Sequence, residues 1–198
     1  MQKQGINKNQ RTTKFVIVLG TNGTGKSTVV RNTFVLPELK RTGKVIICTP
    51  HFNEWLDVPE ISCTPENIRN IKTARKVVID PVNPDDDIHT IAHNFRNGLL
   101  ILDDCRAYLE SATDRTLKTL YISRRQWQLD IVAVAHGYSE MVPKFFTFAT
   151  DFILFKTLDT PDDRKSYLKM DLDLIWKVQK RVFEKSKMNI HYCEHYKR

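Results

Sequence analysis

The stretch from Phe15 to Thr28, FVIVLGTNGTGKST, limits the possible folds of this chain more than any other part of its sequence. A short apolar run opens into eight residues, Gly20 to Ser27, that read G-x-x-x-x-G-K-S. This pattern is typical of a loop between a buried strand and a helix that surrounds phosphate groups with backbone N–H groups. Its glycines let the backbone bend and come close to an anion, because no Cβ is in the way. A glycine-rich turn without a ligand is the alternative, and it leaves Lys26 and Ser27 unexplained.

The residues of this loop have distinct predicted roles. We expect Lys26 to neutralise the β- and γ-phosphates of ATP and the Ser27 hydroxyl to hold Mg²⁺. ATP and Mg²⁺ are therefore the predicted cofactors. The predicted nucleotide-binding residues are Gly20, Thr21, Asn22, Gly23, Thr24, Gly25, Lys26, Ser27 and Thr28.

A second informative stretch is LLILDD, from Leu99 to Asp104, in which four apolar residues end in two acids. A central parallel strand is apolar throughout and presents functional side chains at its carboxyl end. We expect Asp103 to bind Mg²⁺ together with Ser27, and Asp104 to orient or activate the attacking water. Two solvated acids at a strand end are the alternative. The presence of the phosphate loop in the same chain favours the catalytic interpretation.

The remaining apolar runs predict an α/β domain. Further strands are expected at residues 44–49, 76–80, 130–135 and 152–156, with helices at about 26–34, 65–72, 85–97, 114–126, 159–169 and 172–185. The first helix is expected to stop before Pro37, because proline disfavours helix in the residue that precedes it. In the loop at 50–63, Phe52 and Trp55 are interpreted as packing residues rather than as a platform that stacks on bases. Residues 1–14 are predicted to form a flexible basic arm and residues 15–198 a single domain.

Three groups of possible metal ligands have simpler interpretations. The acids at 85–87 lie where they would cap a helix and oppose its dipole. His89 and His93 lie four residues apart, but no carboxylate has a matching spacing, and we interpret them as surface histidines. The tail at 188–196 alternates like an edge strand. It would put His191, Cys193 and His195 on one face, where a fourth metal ligand is not evident.

Composition limits the class of protein and the kind of partner. A chain of 198 residues with 41% hydrophobic content is long enough for one α/β domain with a substantial core. The net charge of +8 favours a polyanionic partner such as nucleic acid, although a merely basic surface explains it equally well. A candidate nucleic-acid face lies on the last helix, at Lys177, Lys180, Arg181, Lys185 and Lys187, with a solvated helix face as the equal alternative.

Two further features concern the environment of the protein. No apolar run of the sequence approaches the roughly 18 residues that a membrane span needs. The four cysteines are scattered and include no C-x-x-C pair, which is typical of a reduced, intracellular protein.

The order of the motifs narrows the fold class. Asp103 follows two predicted strand–helix units, and a further strand at 130–135 comes after it and ends at His136. This order suits the additional-strand P-loop ATPases, in which a strand with a sensor residue separates the acidic strand from the phosphate-loop strand. The predicted fold is therefore a three-layer, RecA-like P-loop NTPase with a mostly parallel central sheet flanked by helices.

Four segments together resemble the FtsK/HerA superfamily: GTNGTGKST, LLILDDC, SRRQWQLDIVAVAHGYSEMVP and ATDFILFK. Within it they are most similar to the small viral genome-packaging ATPases of membrane-containing viruses with double jelly-roll capsids. The resemblance covers about residues 14–157, and an arginine-bearing helix that runs into the sensor strand is its more specific part.

The resemblance implies a function and its partners. It implies an Mg²⁺-dependent ATPase that assembles into a homo-oligomeric ring, a hexamer or a pentamer. Such a ring moves nucleic acid, most often double-stranded DNA, without reading its sequence, and packages it into a preformed capsid. Capsid vertex or portal proteins are then partners, and the host cytoplasm and the virion are the expected locations.

The resemblance also assigns catalytic residues, with two departures from the family pattern. Lys26 and Asp103 match the family's motifs, and an arginine that completes the site of the adjacent subunit matches Arg125, with Arg124 as the neighbouring candidate. Asp104 stands where the family usually has glutamate, so its shorter side chain reaches less far. His136 stands at the sensor position, where glutamine is usual, and a structural histidine at a strand end is the nearly equal alternative. A small-molecule kinase and a nucleotide-binding assembly switch without translocase activity remain the alternatives.

Overall fold

A seven-stranded sheet forms the centre of the protein, whose computed structural model describes residues 12–109 and 114–198. The strands are β1 (Phe15–Leu19), β2 (Val45–Thr49), β3 (Ala74–Val78), β4 (Gly98–Leu102), β5 (Leu129–Ala135), β6 (Asp151–Leu154) and β7 (Glu194–Lys197). Their order is β3-β2-β4-β5-β1-β6-β7, and every pairing is parallel except that of β6 with β7. The predicted α/β class with a mostly parallel sheet is confirmed.

Helices cover both faces of this sheet. They are α1 (Lys26–Val30), α2 (Leu36–Arg41), α3 (Pro65–Arg69), α4 (Pro84–Asn94), α5 (Arg106–Leu109), α6 (Asp114–Ser123), α7 (Pro143–Phe148), α8 (Lys165–Leu168) and α9 (Leu172–Lys185). A π-helical turn at Arg31–Val35 joins α1 to α2, and 3₁₀ turns at Pro161–Arg164 and Lys169–Asp171 flank α8. None of the helices in the described part of the chain combines the length and the apolar character that a bilayer span needs.

The core lies on the two faces of the sheet because side chains alternate along each strand. In β1, Phe15, Ile17 and Leu19 join the larger core cluster, while Val16 and Val18 join the smaller one. All five residues of β1 are buried, as they must be in a central strand that is covered on both sides. The phosphate loop therefore starts from a rigid, fully buried strand.

The prediction that the first helix stops before Pro37 is wrong. Pro37 lies in the first turn of α2, and the backbone stays helical from Lys26 through the π turn to Arg41. Proline removes one N–H donor from a helix. The wider π turn just before it changes the hydrogen-bond register, so the missing donor is tolerated.

Other boundaries differ from the predictions at the ends of elements. Helix α6 ends at Ser123 rather than near residue 126, because the chain turns there and residues 124–128 form a turn before β5. Helices α5 and α7 were not predicted, and the tail forms a strand only from Glu194. His191 and Cys193 therefore precede β7, and the predicted shared face with His195 is wrong.

The four cysteines are free.

The predicted N-terminal arm lies mostly outside the described residues, which begin at Thr12. Its last residues contact the domain. Thr13 is buried, and the Lys14 backbone N–H donates to Asp130 Oδ1 at 2.7 Å. This hydrogen bond joins the residue before β1, the strand that leads into the phosphate loop, to the start of β5.

Candidate active site

The phosphate loop, residues 20–27, connects β1 to α1 in a conformation that needs its glycines. Gly23 and Gly25 have φ angles of 75° and 93°, in the left-handed region that favours glycine. At Gly20 a Cβ would come within 2.5 Å of a neighbouring side-chain carbon. The buried Thr24 hydroxyl donates to the Thr21 carbonyl at 2.8 Å, which closes the loop on itself. These backbone angles and this hydrogen bond therefore define the conformation of the loop.

Lys26 is the charged centre of this loop. Its side chain is 9% exposed, and Nζ donates to the carbonyl oxygens of Gly20 at 2.5 Å and Thr21 at 3.0 Å. Burial lowers the pKa of the Lys26 ammonium, and the nearby carboxylates of Asp103 and Asp104 oppose that shift. The direct hydrogen-bond partners of the ammonium are these two carbonyls and a ring nitrogen of His136, all of them uncharged acceptors, so a stronger anionic ligand such as phosphate can replace them.

The acidic pair follows β4 directly, as predicted. The Asp103 backbone N–H donates to the Cys48 carbonyl of β2 at 2.9 Å, and the Asp103 side chain is 6% exposed. Trp55 Nε1 donates to Asp103 Oδ2 at 2.6 Å. Burial raises the pKa of Asp103 above its usual range, while the hydrogen bond from Trp55 works in the opposite direction. Trp55 is therefore more than a packing residue, because it orients the carboxylate that is expected to bind Mg²⁺.

The raised pKa of Asp103 makes a prediction about stability. Because the folded-state pKa lies above that of an unfolded aspartate, the stabilisation from Asp103 is complete below the unfolded pKa of about 3.9. It is lost as the pH rises through the folded pKa, so the ionised carboxylate weakens the fold at neutral pH. We expect Asp103→Asn, which keeps an acceptor for Trp55, to unfold at a higher temperature than the wild type at pH 7, with the difference shrinking towards pH 4. We also expect its turnover to fall by about 100-fold or more.

Thermal unfolding from pH 4 to pH 8 without metal or nucleotide measures this effect. Asp57→Asn is the matched control, since the hydrogen bond from Arg31 lowers the pKa of Asp57 and its contribution has the opposite sign. An Asp103→Asn protein that is less stable than the wild type at pH 7 would contradict the prediction.

Asp104 lies between two histidines. Asp104 has a left-handed φ of 43°, and its Oδ2 is 3.2 Å from His51 Nε2. Its Oδ1 is 3.7 Å from His136 Nε2, and His136 Nδ1 is 3.2 Å from Lys26 Nζ. Because an ammonium only donates, His136 Nδ1 must accept here, which leaves the proton on Nε2 facing Asp104. His136 therefore links the phosphate-loop lysine to the second acid.

The chain after His136 fixes the position of this histidine. Asp159 accepts hydrogen bonds from the backbone N–H groups of Tyr138 at 2.9 Å and Ser139 at 2.6 Å. At Gly137 a Cβ would lie 2.5 Å from Asp159 Oδ1, so a larger residue would have to displace the Asp159 carboxylate. The carboxylate of Asp159 thus anchors the turn that carries His136.

An open cleft of about 570 Å³ collects these groups. The predicted residues that line it are Asn22, Gly23, Gly25, Lys26, Ser27, Thr28, Asp103, Asp104 and His136. Gly20, Thr21 and Thr24 form the base of the loop instead. The cleft is also lined by His51, Glu54 and His191, which the sequence analysis did not assign to it. These three come from loops after β2 and before β7, and no short motif marks them.

Lys76 holds the loop that carries His51 and Glu54. The Lys76 side chain is buried, and its Nζ donates to the carbonyl oxygens of Phe52 at 2.8 Å and Glu54 at 3.1 Å. The Glu54 carboxylate accepts from Thr49 Oγ1 at 3.2 Å at the end of β2. This loop is therefore tied to the strand next to the acidic strand.

The donor set of the cleft fits Mg²⁺. The Ser27 hydroxyl and the Asp103 carboxylate line the same cleft, and Mg²⁺ usually takes one or two carboxylates together with substrate phosphates and water. Within residues 12–109 and 114–198, no cluster of three or more His, Cys, Asp or Glu side chains could enclose a metal by itself. The fit is thus to a metal shared with phosphate groups rather than to a protein-only cage.

The two arginines after α6 differ in their surroundings. Arg124 is 4% exposed, and Nη1 donates to the Thr13 carbonyl at 3.0 Å and hydroxyl at 3.1 Å. Arg125 is exposed, and neither arginine lines the cleft of its own chain. Arg124 is thus bound within its own domain, while the Arg125 side chain faces outward.

Comparisons with known proteins bear on the fold. No model of a known protein family and no curated protein matches this sequence. The solved structures of similar fold include the genome packaging NTPase B204 of Sulfolobus turreted icosahedral virus 2. Its complex with AMP is 15% identical over 93% of this chain and 92% of that chain, with a TM-score of 0.69. Its complex with sulfate is 14% identical over 93% and 91% of the two chains, with a TM-score of 0.70.

A further similar structure is that of B204, the DNA-packaging ATPase of Sulfolobus turreted icosahedral virus. It is 15% identical over 93% of this chain and 92% of that chain, with a TM-score of 0.68. The chain therefore has the P-loop NTPase fold of these viral packaging proteins. The resemblance predicted from the four sequence segments is confirmed at the level of the fold.

Proposed function

We propose that this chain is an Mg²⁺-dependent ATPase that packages viral DNA as a ring-shaped motor. The observation that carries the proposal is the common cleft of the phosphate loop, the acidic pair and His136. The fold supports it, because the similar structures are of B204, a genome packaging NTPase that has been crystallised with AMP, AMPPCP and ATP-γS.

The phosphate loop would bind the triphosphate and the metal. Backbone N–H groups of the loop would surround the phosphates, and Lys26 would exchange its two carbonyl partners for the β- and γ-phosphates. Ser27 and Asp103 would hold Mg²⁺. When bound, the ion neutralises phosphate charge that develops during transfer. Trp55 keeps Asp103 oriented by donating to one carboxylate oxygen.

Asp104 would act on the attacking water. A general base must lie within hydrogen-bond reach of the proton that it takes. The left-handed backbone at Asp104 and the contacts to His51 and His136 hold its carboxylate in the cleft. His136 also contacts Lys26, so it is placed to respond to the presence of the γ-phosphate. We propose that the shorter aspartate serves in place of glutamate because its two histidine neighbours orient it.

Replacing Asp104 with asparagine tests this role. We expect Asp104→Asn to bind a Mg²⁺–ATP analogue as tightly as the wild type but to lower turnover by about 100-fold, because the amide accepts no proton. Steady-state phosphate release and calorimetric binding measure the two quantities. Asp86→Asn, at an exposed position in α4, is the matched control. Unchanged turnover in Asp104→Asn would remove it from the mechanism.

The proposed ring rests on Arg125 and on charge. An exposed arginine that is absent from its own cleft can reach the site of an adjacent subunit, where it would stabilise the transferring phosphoryl group. The net charge of +8 suits contact with DNA phosphates, which positions DNA without reading its sequence. On α9, Lys177 and Lys180 are exposed, whereas Arg181 pairs with Glu194. We propose that the ring is a hexamer or a pentamer and that it binds capsid vertex or portal proteins. Its proposed locations are the host cytoplasm and the virion.

ATP hydrolysis measured against protein concentration, with and without double-stranded DNA, tests the proposed function. We expect turnover per subunit to rise with protein concentration and with DNA, because the site is shared between subunits. Turnover that needs a small phosphate acceptor and ignores DNA would indicate a kinase. Tight nucleotide binding without turnover at any concentration would indicate an assembly switch.

A further inference from the structure

The C-terminal hairpin, which we define as α9, the turn at 186–193 and β7, reaches the phosphate loop. Its His191 lines the cleft. A Cβ built on Gly25 would lie 3.3 Å from His191 Nδ1 and 3.9 Å from its Cγ. The imidazole therefore packs directly over the glycine that precedes Lys26, in the space that a larger residue there would occupy.

The position of the hairpin in the sheet shows which end of a nucleotide it would meet. The groups that suit the terminal phosphate, Asp103 and Asp104, follow β4, and His136 follows β5. The hairpin lies on the other side of β1, beyond β6 at the sheet edge. The Thr21 N–H donates to the Lys156 carbonyl after β6 at 2.9 Å, so the phosphate loop extends towards that edge. A nucleotide with its γ-phosphate between Lys26 and Asp104 would direct its nucleoside towards the hairpin.

The helix of the hairpin is fixed to the sheet by a buried amide. Gln179 of α9 is fully buried, accepts from Tyr138 Oη at 2.8 Å and donates to the Phe155 carbonyl at 3.1 Å. Tyr138 lies two residues after His136, and Phe155 directly follows β6. The helix that leads to His191 is thus attached to the same strand ends that frame the cleft.

The turn of the hairpin is held by polar contacts on both sides. Arg181 Nε donates to Glu194 Oε2 at 3.0 Å, and Tyr192 Oη donates to Glu194 Oε1 at 2.9 Å. Lys185 Nζ donates to Tyr192 Oη at 2.9 Å. The His191 N–H donates to Asn189 Oδ1 at 3.0 Å. These contacts hold the turn that places the imidazole at the cleft. The antiparallel pairing of β7 with β6 attaches the end of the turn to the sheet.

We propose that the C-terminal hairpin forms the nucleoside wall of the cleft, with His191 contacting the base or ribose of the bound nucleotide rather than its phosphates. The proposal rests on the proposed nucleotide-binding function. A flat imidazole offers an aromatic face to a base and ring nitrogens to a ribose hydroxyl. In the proposed function, the loop N–H groups and Lys26 already bind the phosphates. This assigns a role to His191, which the sequence alone did not connect with the nucleotide.

Binding measurements with two probes test the proposal. The probes are AMPPCP and inorganic tripolyphosphate, each with Mg²⁺, titrated by calorimetry into the full chain. We expect His191→Ala to weaken AMPPCP binding about five- to tenfold, the effect of one lost contact, and to leave tripolyphosphate binding unchanged. His89→Ala, at an exposed histidine of α4, is the matched control and should change neither. Thermal unfolding verifies that both variants are folded.

The outcomes separate this proposal from the proposed function. If His191→Ala binds both probes more weakly by the same factor, His191 contacts phosphate. If it binds AMPPCP with unchanged or higher affinity, His191 does not contact the nucleoside. Either result overturns the hairpin proposal while ATP hydrolysis by the wild type still supports the proposed function. A wild-type protein that binds neither probe would overturn both.

Discussion

Replacing Arg125 with alanine is expected to lower the turnover of the assembled protein by about 10³-fold or more, the range found for arginines that act on a transferring phosphoryl group. The affinity for a Mg²⁺–ATP analogue should stay close to that of the wild type, because Arg125 does not line the cleft of its own chain. Arg125→Lys should recover little of the activity, since an ammonium lacks the planar fork of the guanidinium. Steady-state phosphate release at high protein concentration measures the effect.

Mixing two inactive variants tests whether Arg125 acts between subunits. A Lys26→Ala subunit still offers Arg125, and an Arg125→Ala subunit still has a complete phosphate loop. We expect the mixture to regain part of the turnover that each variant lacks alone. Arg69→Ala, at another exposed arginine, serves as the control. Full activity of Arg125→Ala, or no recovery in a mixture that forms mixed oligomers, would count against a shared site.

Replacing Lys26 with alanine is expected to have the other large effect. Loss of one charge-assisted hydrogen bond to phosphate, at about 1.5–3 kcal/mol, should weaken Mg²⁺–ATP binding by about 10- to 100-fold. Loss of the charge beside the developing phosphoryl anion should lower turnover by roughly a further 10²- to 10³-fold. The ammonium contacts Gly20, Thr21 and His136, so the variant also loses the link between the phosphate loop and the sensor position.

Calorimetric binding and phosphate release separate these two parts of the Lys26 effect. Lys40→Ala, at an exposed lysine of α2, is the matched control and should behave like the wild type. A Lys26→Ala protein that binds Mg²⁺–ATP with wild-type affinity would show that the loop is not the phosphate site.

Local pattern was enough to predict the strands and the first group of site residues. The phosphate loop and the acidic pair are each contiguous in sequence, and parallel strands bring their carboxyl ends to one edge of the sheet. The order of the motifs also predicted that β5, with His136 at its end, separates β4 from β1, and the sheet has that order. These predictions succeeded because hydrophobic periodicity and turn residues act over short distances along the chain.

Helix ends were less predictable because they depend on contacts that the local sequence does not contain. A proline rule that holds for regular helix failed at Pro37, where a π turn precedes the proline. Helix α6 ends at Ser123, and the next residue, Arg124, is drawn inward to Thr13, more than a hundred residues away along the chain.

The sequence by itself determined the class of fold, the phosphate loop and the acidic pair, since each follows from short contiguous segments. The order of the motifs also placed β5 between β4 and β1. Only the tertiary structure decided which side chains share the cleft and which do not. It brought the indole N–H of Trp55 to the Asp103 carboxylate and the His51 ring to the Asp104 carboxylate. It also packed the His191 ring against Gly25. It also buried Arg124 and left Arg125 exposed, although the two are neighbours in sequence. The physical reason is that such contacts join residues distant along the chain, whose meeting depends on the packed arrangement of the whole sheet and its loops.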